Sequence, residues 1–413
     1  MKRSACMRGA ILLLALIRLA EAQSSLELVG FGLWQSPADV VSQGIGDITT
    51  VPYGPQGWLY AAPSTWHYIR ATQLHASLKA SRSQLGDLGP YDRVEPQNLQ
   101  FLIHVNRRTG YSIGIQPVSR VDISIKDTSG VFDLSPDTLR YTQSRSSVGG
   151  LSAFRIGVSR RIGSAVSLGV VLNVLFGTLT QRDTLEFLSN GQREDLLSGM
   201  IAERRLEFNG QMLDLSLLAV FPPESEGQVG IRIVLPLYLK LTDIRTYLNQ
   251  PSPDPLRYDG VGIPTSCAVG YGVNFARKHR ILAEIGLSQL RQTQKNDLAF
   301  GRYLKATRSL RLGWARTPSG EELFNLGRLY YRVGFYWMDY YLHGLNNSPL
   351  AEVAFTAGLG YQTPRFGHWV DVSFQMGRRE SLLPGIQFEK FYRVSVGVTT
   401  AELWFIRPKK KWD

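Results

Sequence analysis

The chain has 413 residues, with 46 Lys plus Arg against 34 Asp plus Glu for a formal net charge of +12, and 44% of its residues are hydrophobic. Its mean hydropathy of −0.10 excludes a bundle of membrane-spanning helices. It does not exclude a membrane β-barrel, whose strands are apolar on one face only.

The N-terminus carries an address. Lys2, Arg3 and Arg8 precede a short apolar run, Ala10–Ile17, and the triplet Ala20-Glu21-Ala22. That layout predicts a secretory signal peptide over residues 1–22, cleaved before Gln23. Its removal leaves 42 basic against 33 acidic side chains, or +9. Of the two cysteines Cys6 lies inside the signal, so Cys267 stands alone and no intramolecular disulfide can form. A signal without a disulfide framework suits a bacterial envelope protein.

Residues 23–72 are rich in Gly, Pro and Ser without a sustained period. Trp34, Trp58, Tyr60 and Trp66 argue against disorder, which is poor in aromatics. A compact segment packed against the rest of the chain is expected.

From Gln73 onward, strand patterns follow one another. Fourteen are expected, from Gln73–Arg82 and Asn98–Arg107 to His368–Arg378 and Phe388–Trp404. The clearest is the hairpin around Arg161-Ile162-Gly163-Ser164. In its second strand Val166, Leu168, Val170, Leu172, Val174 and Phe176 share one face, and Ser167, Gly169, Val171, Asn173, Leu175 and Gly177 the other. Soluble strands usually run about 5–6 residues, whereas a bilayer crossing takes roughly 9–11. Ile231 to Leu241 and Leu329 to Trp337 alternate in the same way.

Short basic turns (Arg107 to Gly110, Arg161 to Ser164, Lys278 to Arg280, Pro364 to Gly367) alternate with longer polar stretches (Asp127 to Ser146, Thr180 to Glu203, Thr242 to Pro264, Leu342 to Pro349). Outer-membrane barrels have short periplasmic turns and long external loops. The short turns are therefore placed in the periplasm. Phe335-Tyr336-Trp337 and Trp404-Phe405 suit interfacial girdles, and Glu194–Arg204 suits a short helix in a loop. The fold class is all-β: a transmembrane antiparallel barrel over residues 73–405 and a basic tail over 406–413, preceded by the compact segment 23–72.

Catalytic and metal motifs are weak. Gly110-Tyr111-Ser112-Ile113-Gly114 matches G-x-S-x-G, but a nucleophile elbow needs a strand–turn–helix setting and here the extended run continues. The six histidines show no metal-binding spacing. Neither enzyme activity, nor a metal or cofactor, nor nucleic-acid binding is expected, although Lys409-Lys410-Lys411 forms a basic tail. Arg232, Arg328, Arg332 and Arg393 fall on the lumen register, with Glu284, Glu352 and Asp371 as candidate partners. The positive charge suits contact with outer-membrane lipid and lipopolysaccharide phosphates.

With these residues in place, the chain resembles the FadL-type outer-membrane transporters, in their divergent Bacteroidetes-like branch. GGLSAFRIGVSRRIGSAVSLGVVLNVLFG carries the most specific match. SQGIGDITTVPYGPQGWLYAAPSTW resembles the family's N-terminal plug and hatch, GYSIGIQPVSRVDISI its kinked third strand, and YRVSVGVTTAELWFIRPKKKWD its closing strand and tail. The hatch position reads Ala61-Ala62-Pro63, without the family's Asn before a Pro-Ala. The resemblance implies about 14 strands around a plug and passive, porin-like uptake of long-chain fatty acids or aromatic hydrocarbons. It also implies a lateral exit beside the third-strand kink. Ala61, Ala62, Pro63, Gly114 and Pro117 are the expected ligand and gating residues. Independently, Pro117 cannot donate a ladder hydrogen bond, so its strand must kink, bulge or sit at an edge. Val171 and Leu175 on the lumen register suit a greasy ligand. The alternative is a barrel serving as scaffold or shuttle in protein secretion or assembly. Large ordered external structure would favour that alternative; the external loops read as modest, which favours transport.

Overall fold

A computed structural model describes residues 27, 32–54, 57–86, 90–134, 137–189, 192–193, 200–221, 227–247, 256–259, 263–276, 278–290, 306–318, 329–343, 349–363, 368–381 and 387–402. The signal peptide, Arg328, Trp404-Phe405 and the tail lie outside them. The barrel strands, in chain order, are β1 (Thr72–Leu85), β2 (Pro90–Asn106), β3 (Thr109–Leu134), β4 (Asp137–Ile162), β5 (Val166–Ser189), β6 (Met200–Phe221) and β7 (Gly227–Tyr247). There follow β8 (Pro264–Ala276), β9 (His279–Leu290), β10 (Thr307–Arg316), β11 (Leu329–His343), β12 (Pro349–Gln362), β13 (Trp369–Glu380) and β14 (Phe388–Glu402).

Every pairing between consecutive strands is antiparallel, and β14 returns to β1 from Glu389↔Leu85 to Glu402↔Thr72. The ring closes, so no sheet edge is left to satisfy in lipid. The fourteen strands are those the periodicity predicts. Leu168, Val170, Leu172 and Phe176 point outward and stay exposed, while Val171 and Leu175 on the opposite register are fully buried. Val370, Val372, Phe374 and Met376 on β13 repeat this outward strip.

Four expectations give way. Asp127–Ser146 is mostly strand, because β3 runs to Leu134 and β4 begins at Asp137. Thr180–Ser189 likewise continues β5, and Met200–Arg204, expected in a helix, opens β6. Outside the bilayer both faces of a strand meet water, so the apolar alternation that marks a strand disappears. Finally, β7 does not keep one face. A bulge pairs Gln211 with Tyr238 but Met212 with Pro236, and Leu239 and Leu241 turn inward while Leu237 and Tyr238 face out. A single inserted residue exchanges the two faces of a strand.

Ahead of β1, residues 33–54 and 57–70 pack on the barrel's inward face. They hold helix α1 (Val40–Gly44) and a 3₁₀ helix (Pro63–Tyr68). Asp39 caps α1 by accepting from Ser42 N at 2.7 Å, and accepts from Tyr60 N at 2.9 Å, tying the two halves of the segment together. Ile45, Ile48, Val51, Leu59 and Ala62 form a core with Leu218, Leu282 and Ala315 from the wall.

Candidate functional site

The wall is split at the third strand. The β2–β3 ladder stops at Leu99↔Ile115, although both strands continue. Just above, Pro117 lacks a donor, and a bulge shifts the β3–β4 register between Pro117 and Ser119. Above it the face reverses: Ser112 is buried below, and Val121 and Ile123 are buried above. Two glycines in β4, Gly149 (φ +132°) and Gly150 (φ +147°), lie at this height. A Cβ on Gly150 would stand 2.3 Å from Ser119 O, so only glycine lets the bent strands approach.

The chain's own N-terminal residues occupy the split. Leu33–Trp34 forms a two-residue strand on the free edge of β3, pairing with Arg120 and Ser119, and Gln35 N donates to Val118 O at 2.9 Å. On the other lip, Gln97 of β2 donates to Ala38 O at 2.9 Å. Glu27 holds both lips: one carboxylate oxygen pairs with Arg93 of β2 at 2.9 Å, and the other accepts from Asp122 N of β3 at 2.6 Å. Burial pushes the Glu27 carboxyl up to about 7, against the opposing pull of Arg93.

Beside the split lies an open cavity of about 260 Å³. Trp34, Val118, Met212, Val234, Ile263 and Tyr341 give it an apolar lining. A wider set of inward residues, including Val121, Leu151, Leu175 and Phe208, packs as one apolar cluster around Trp34. Part of the polar lining is internally paired. Arg232 forks onto Asp214 at 3.0 and 2.6 Å. Asn173 and Gln116 accept from Arg155 at 3.1 and 2.9 Å. An apolar surface with few, oriented polar groups is the usual make-up of a small-molecule site.

Around the cavity, further inward-facing charges are bonded to the inner segment or to each other. Glu284 accepts from Thr49 N and Thr50 Oγ1, both at 2.7 Å, and pairs with Arg311. Arg332 pairs with Asp371 at 2.8 Å, and Glu352 holds Arg393 at 3.0 Å and Arg379 at 3.2 Å. Of the expected lumen pairs, Arg332 finds Asp371 and Arg393 finds Glu352, whereas Arg232 takes Asp214 and Glu284 takes Arg311, neither of which the periodicity singles out.

Ala61 and Ala62 are fully buried, and Pro63 opens the 3₁₀ helix. They lie far from the split. A Cβ on Gly169 would stand 2.4 Å from Pro63, and Gly169 pairs with Ser159 of β4, whereas Pro117 pairs with Ser152. Seven residues along a strand span roughly 23 Å. Gly114 sits on β3 three residues below Pro117, paired with Gln100. The structure therefore brings Gly114 and Pro117 together at the split and leaves Ala61–Pro63 at the opposite level. Ser112 takes a hydrogen bond from Gln100 at 2.6 Å inside continuous strand. Sequence reasoning missed Glu27 and Leu33–Trp34, since a two-residue strand has no period to detect.

A closed fourteen-stranded barrel with a split third strand defines a FadL-type fold, and solved structures agree. The monoaromatic hydrocarbon channel CymD is 14% identical with a TM-score of 0.59, over 90% of this chain and 99% of its own. A Pseudomonas aeruginosa FadL homologue is 12% identical with a TM-score of 0.57, over 90% and 99%. The Pseudomonas putida toluene transporter TodX is 13% identical with a TM-score of 0.52, over 92% and 100%. No curated protein matches by sequence. The family model described as BamG matches residues 11–412, and the chain belongs to the BamG family.

Proposed function

We propose that this chain is an outer-membrane channel for passive uptake of a hydrophobic small molecule of the long-chain fatty acid or aromatic hydrocarbon class. The observation that carries this reading is the apolar cavity abutting a split seam that, among the described residues, is bridged by those of the N-terminal segment. In this reading residues 23–72 are a plug. Ligand enters from outside into the cavity, and withdrawal of residues 27–38 opens the β2–β3 split toward the membrane. Pro117 keeps the split from zipping shut, and Gly114 lies at its foot, in the last paired stretch of the seam. Ala61, Ala62 and Pro63 form the hatch at the periplasmic level. Lipopolysaccharide contacts the rim. Native mass spectrometry with lipid extraction, on protein purified from outer membranes, tests this. The expected result is a co-purified fatty acid or hydrocarbon, lost on filling the cavity with Met212→Trp. An empty lumen with a stoichiometric protein partner would sink it.

A second reading, a scaffold or shuttle for protein secretion or assembly, is favoured by one observation. Strands β3, β4, β5 and β6 have 26, 26, 24 and 22 residues, while β9 and β10 have 12 and 10. A crossing uses roughly 9–11, so the first four project as paired sheet well outside the bilayer. Shortening the β3–β4 hairpin above Ser124 and Arg145 separates the readings: a scaffold loses its partner, and a channel keeps its ligand.

A further inference from the structure

Four arginines gather at one point of the rim. Arg107 and Arg108 form the β2–β3 turn, and Arg160 and Arg161 end β4 beside it. The two turns are joined: Arg161 N donates to Arg108 O at 2.8 Å, and Thr109 pairs with Arg160. Each turn is set by its own side chains. Asn106 Oδ1 accepts from Arg108 N at 2.8 Å, and Arg161 Nη2 donates to Ser164 O at 2.5 Å. Gly163 (φ +66°) supplies the left-handed turn residue.

Between the turns lies a groove of about 350 Å³ lined by Asn106, Thr109 and the four arginines, with no carboxylate among them. Arg107, Arg108 and Arg160 are exposed, and among the described residues none of the three takes part in an ion pair. Other arginines of the described residues do hold carboxylates, as Arg93 holds Glu27 and Arg332 holds Asp371. Even the exposed Arg82 and Arg145 hold Asp92 and Asp183, both at 2.5 Å. The like charges of Arg107, Arg108 and Arg160 converging on a groove without a carboxylate repel one another, and a bound anion relieves that.

The outward face fixes the anion's source. Arg160 shares the outward register of β4 with Phe154, Ile156 and Ile162, and Val105 and Tyr111 stand outward on the neighbouring strands. An apolar strip thus runs straight up from the arginines along the lipid-facing wall. A free phosphate would use the groove alone, whereas a phospholipid would use both groove and strip. We infer that the groove between Arg107-Arg108 and Arg160-Arg161 is a binding site for the phosphodiester headgroup of an anionic phospholipid in the periplasmic leaflet. Guanidinium groups suit it because they fork onto phosphate oxygens.

The test uses the full-length protein in detergent, titrated by native mass spectrometry with phosphatidylglycerol and with phosphatidylcholine of the same chains. Wild type is expected to retain phosphatidylglycerol preferentially. R107Q/R160Q is expected to bind it roughly thirtyfold more weakly, at the strength that basic side chains gain near anionic lipid. R107K/R160K is expected to keep the preference, and an unchanged heat-modifiable gel shift reports a folded barrel. Equal retention of the two lipids by wild type, or full retention by R107Q/R160Q, overturns the site. Equal binding of deacylated glycerophosphoglycerol moves it to a soluble anion, and displacement of lipid by a polyglutamate peptide moves it to an acidic polypeptide. Either result overturns the proposal.

Discussion

Gly46 has φ +81°, and its N–H donates to Thr356 Oγ1 of β12 at 2.9 Å. A Cβ there would stand 2.4 Å from Leu312 O, a backbone atom of β10 that cannot yield without disturbing the wall. Gly46→Ala is expected to loosen residues 33–70 while the barrel stays closed. Limited proteolysis should cut the segment at least tenfold faster, with the heat-modifiable shift unchanged. Glu284 acts at the same scale. Its carboxylate joins Arg311 of β10 to Thr49 and Thr50. Removing one member of a buried ion pair costs about 3–5 kcal/mol, because the partner charge stays behind unpaired. Glu284→Gln should therefore lower the denaturant midpoint more than Glu284→Gln combined with Arg311→Met. Equal midpoints would mean that the pair is not coupled.

At the scale of elements, the two ends of the inner segment titrate in opposite senses. The Glu27 carboxyl is raised to about 7, so between about 4.5 and 7 the docked segment holds a proton that the released one has lost. Docking at the split is strongest below pH 4.5 and weakens as pH rises through 7. His67 in the 3₁₀ helix is lowered to about 4 by burial, its Nδ1 at 2.9 Å from Ser64 O and its Nε2 at 3.3 Å from Ser167 Oγ. That contact is complete above pH 6.5 and is lost as pH falls through 4. Hydrogen exchange should show residues 33–35 better protected at pH 5.5 than at 8.5, and residues 63–68 the reverse below pH 5. Glu27→Gln should abolish the first trend and spare the second. Neither end was legible in the sequence. The fourteen strands and their lipid-facing strips were, because a bilayer forces one face of every crossing to be apolar. The bulges beside Pro117 and Pro236 were not, because one extra residue exchanges the faces without changing composition. The pairing of Glu284 with Arg311 was hidden too, since nothing local says which inward arginine meets which inward acid.

For the whole molecule, the decisive relation is between the closed ring and the strand that completes it. Twelve of the fourteen strands meet both neighbours in ladders that carry the wall without help from the N-terminal segment. Strands β2 and β3 part above Leu99 and Ile115, and there the wall depends on residues that precede the barrel in sequence. A channel with lateral exit needs this closure to be reversible, and a scaffold needs it only to exist. Leu33 and Arg120 are register partners, and antiparallel partners sit roughly 4.5–5.5 Å apart at Cα, within disulfide reach. L33C/R120C, built with Cys267→Ser, would fasten the bridging strand to its lip. Under the channel reading, uptake of a hydrophobic probe by cells carrying the oxidised protein should fall at least tenfold and return on reduction. Under the scaffold reading, uptake is absent in both states and the co-purifying partner is retained in both. A locked seam that still passes the probe would show that the ligand leaves the cavity by another route.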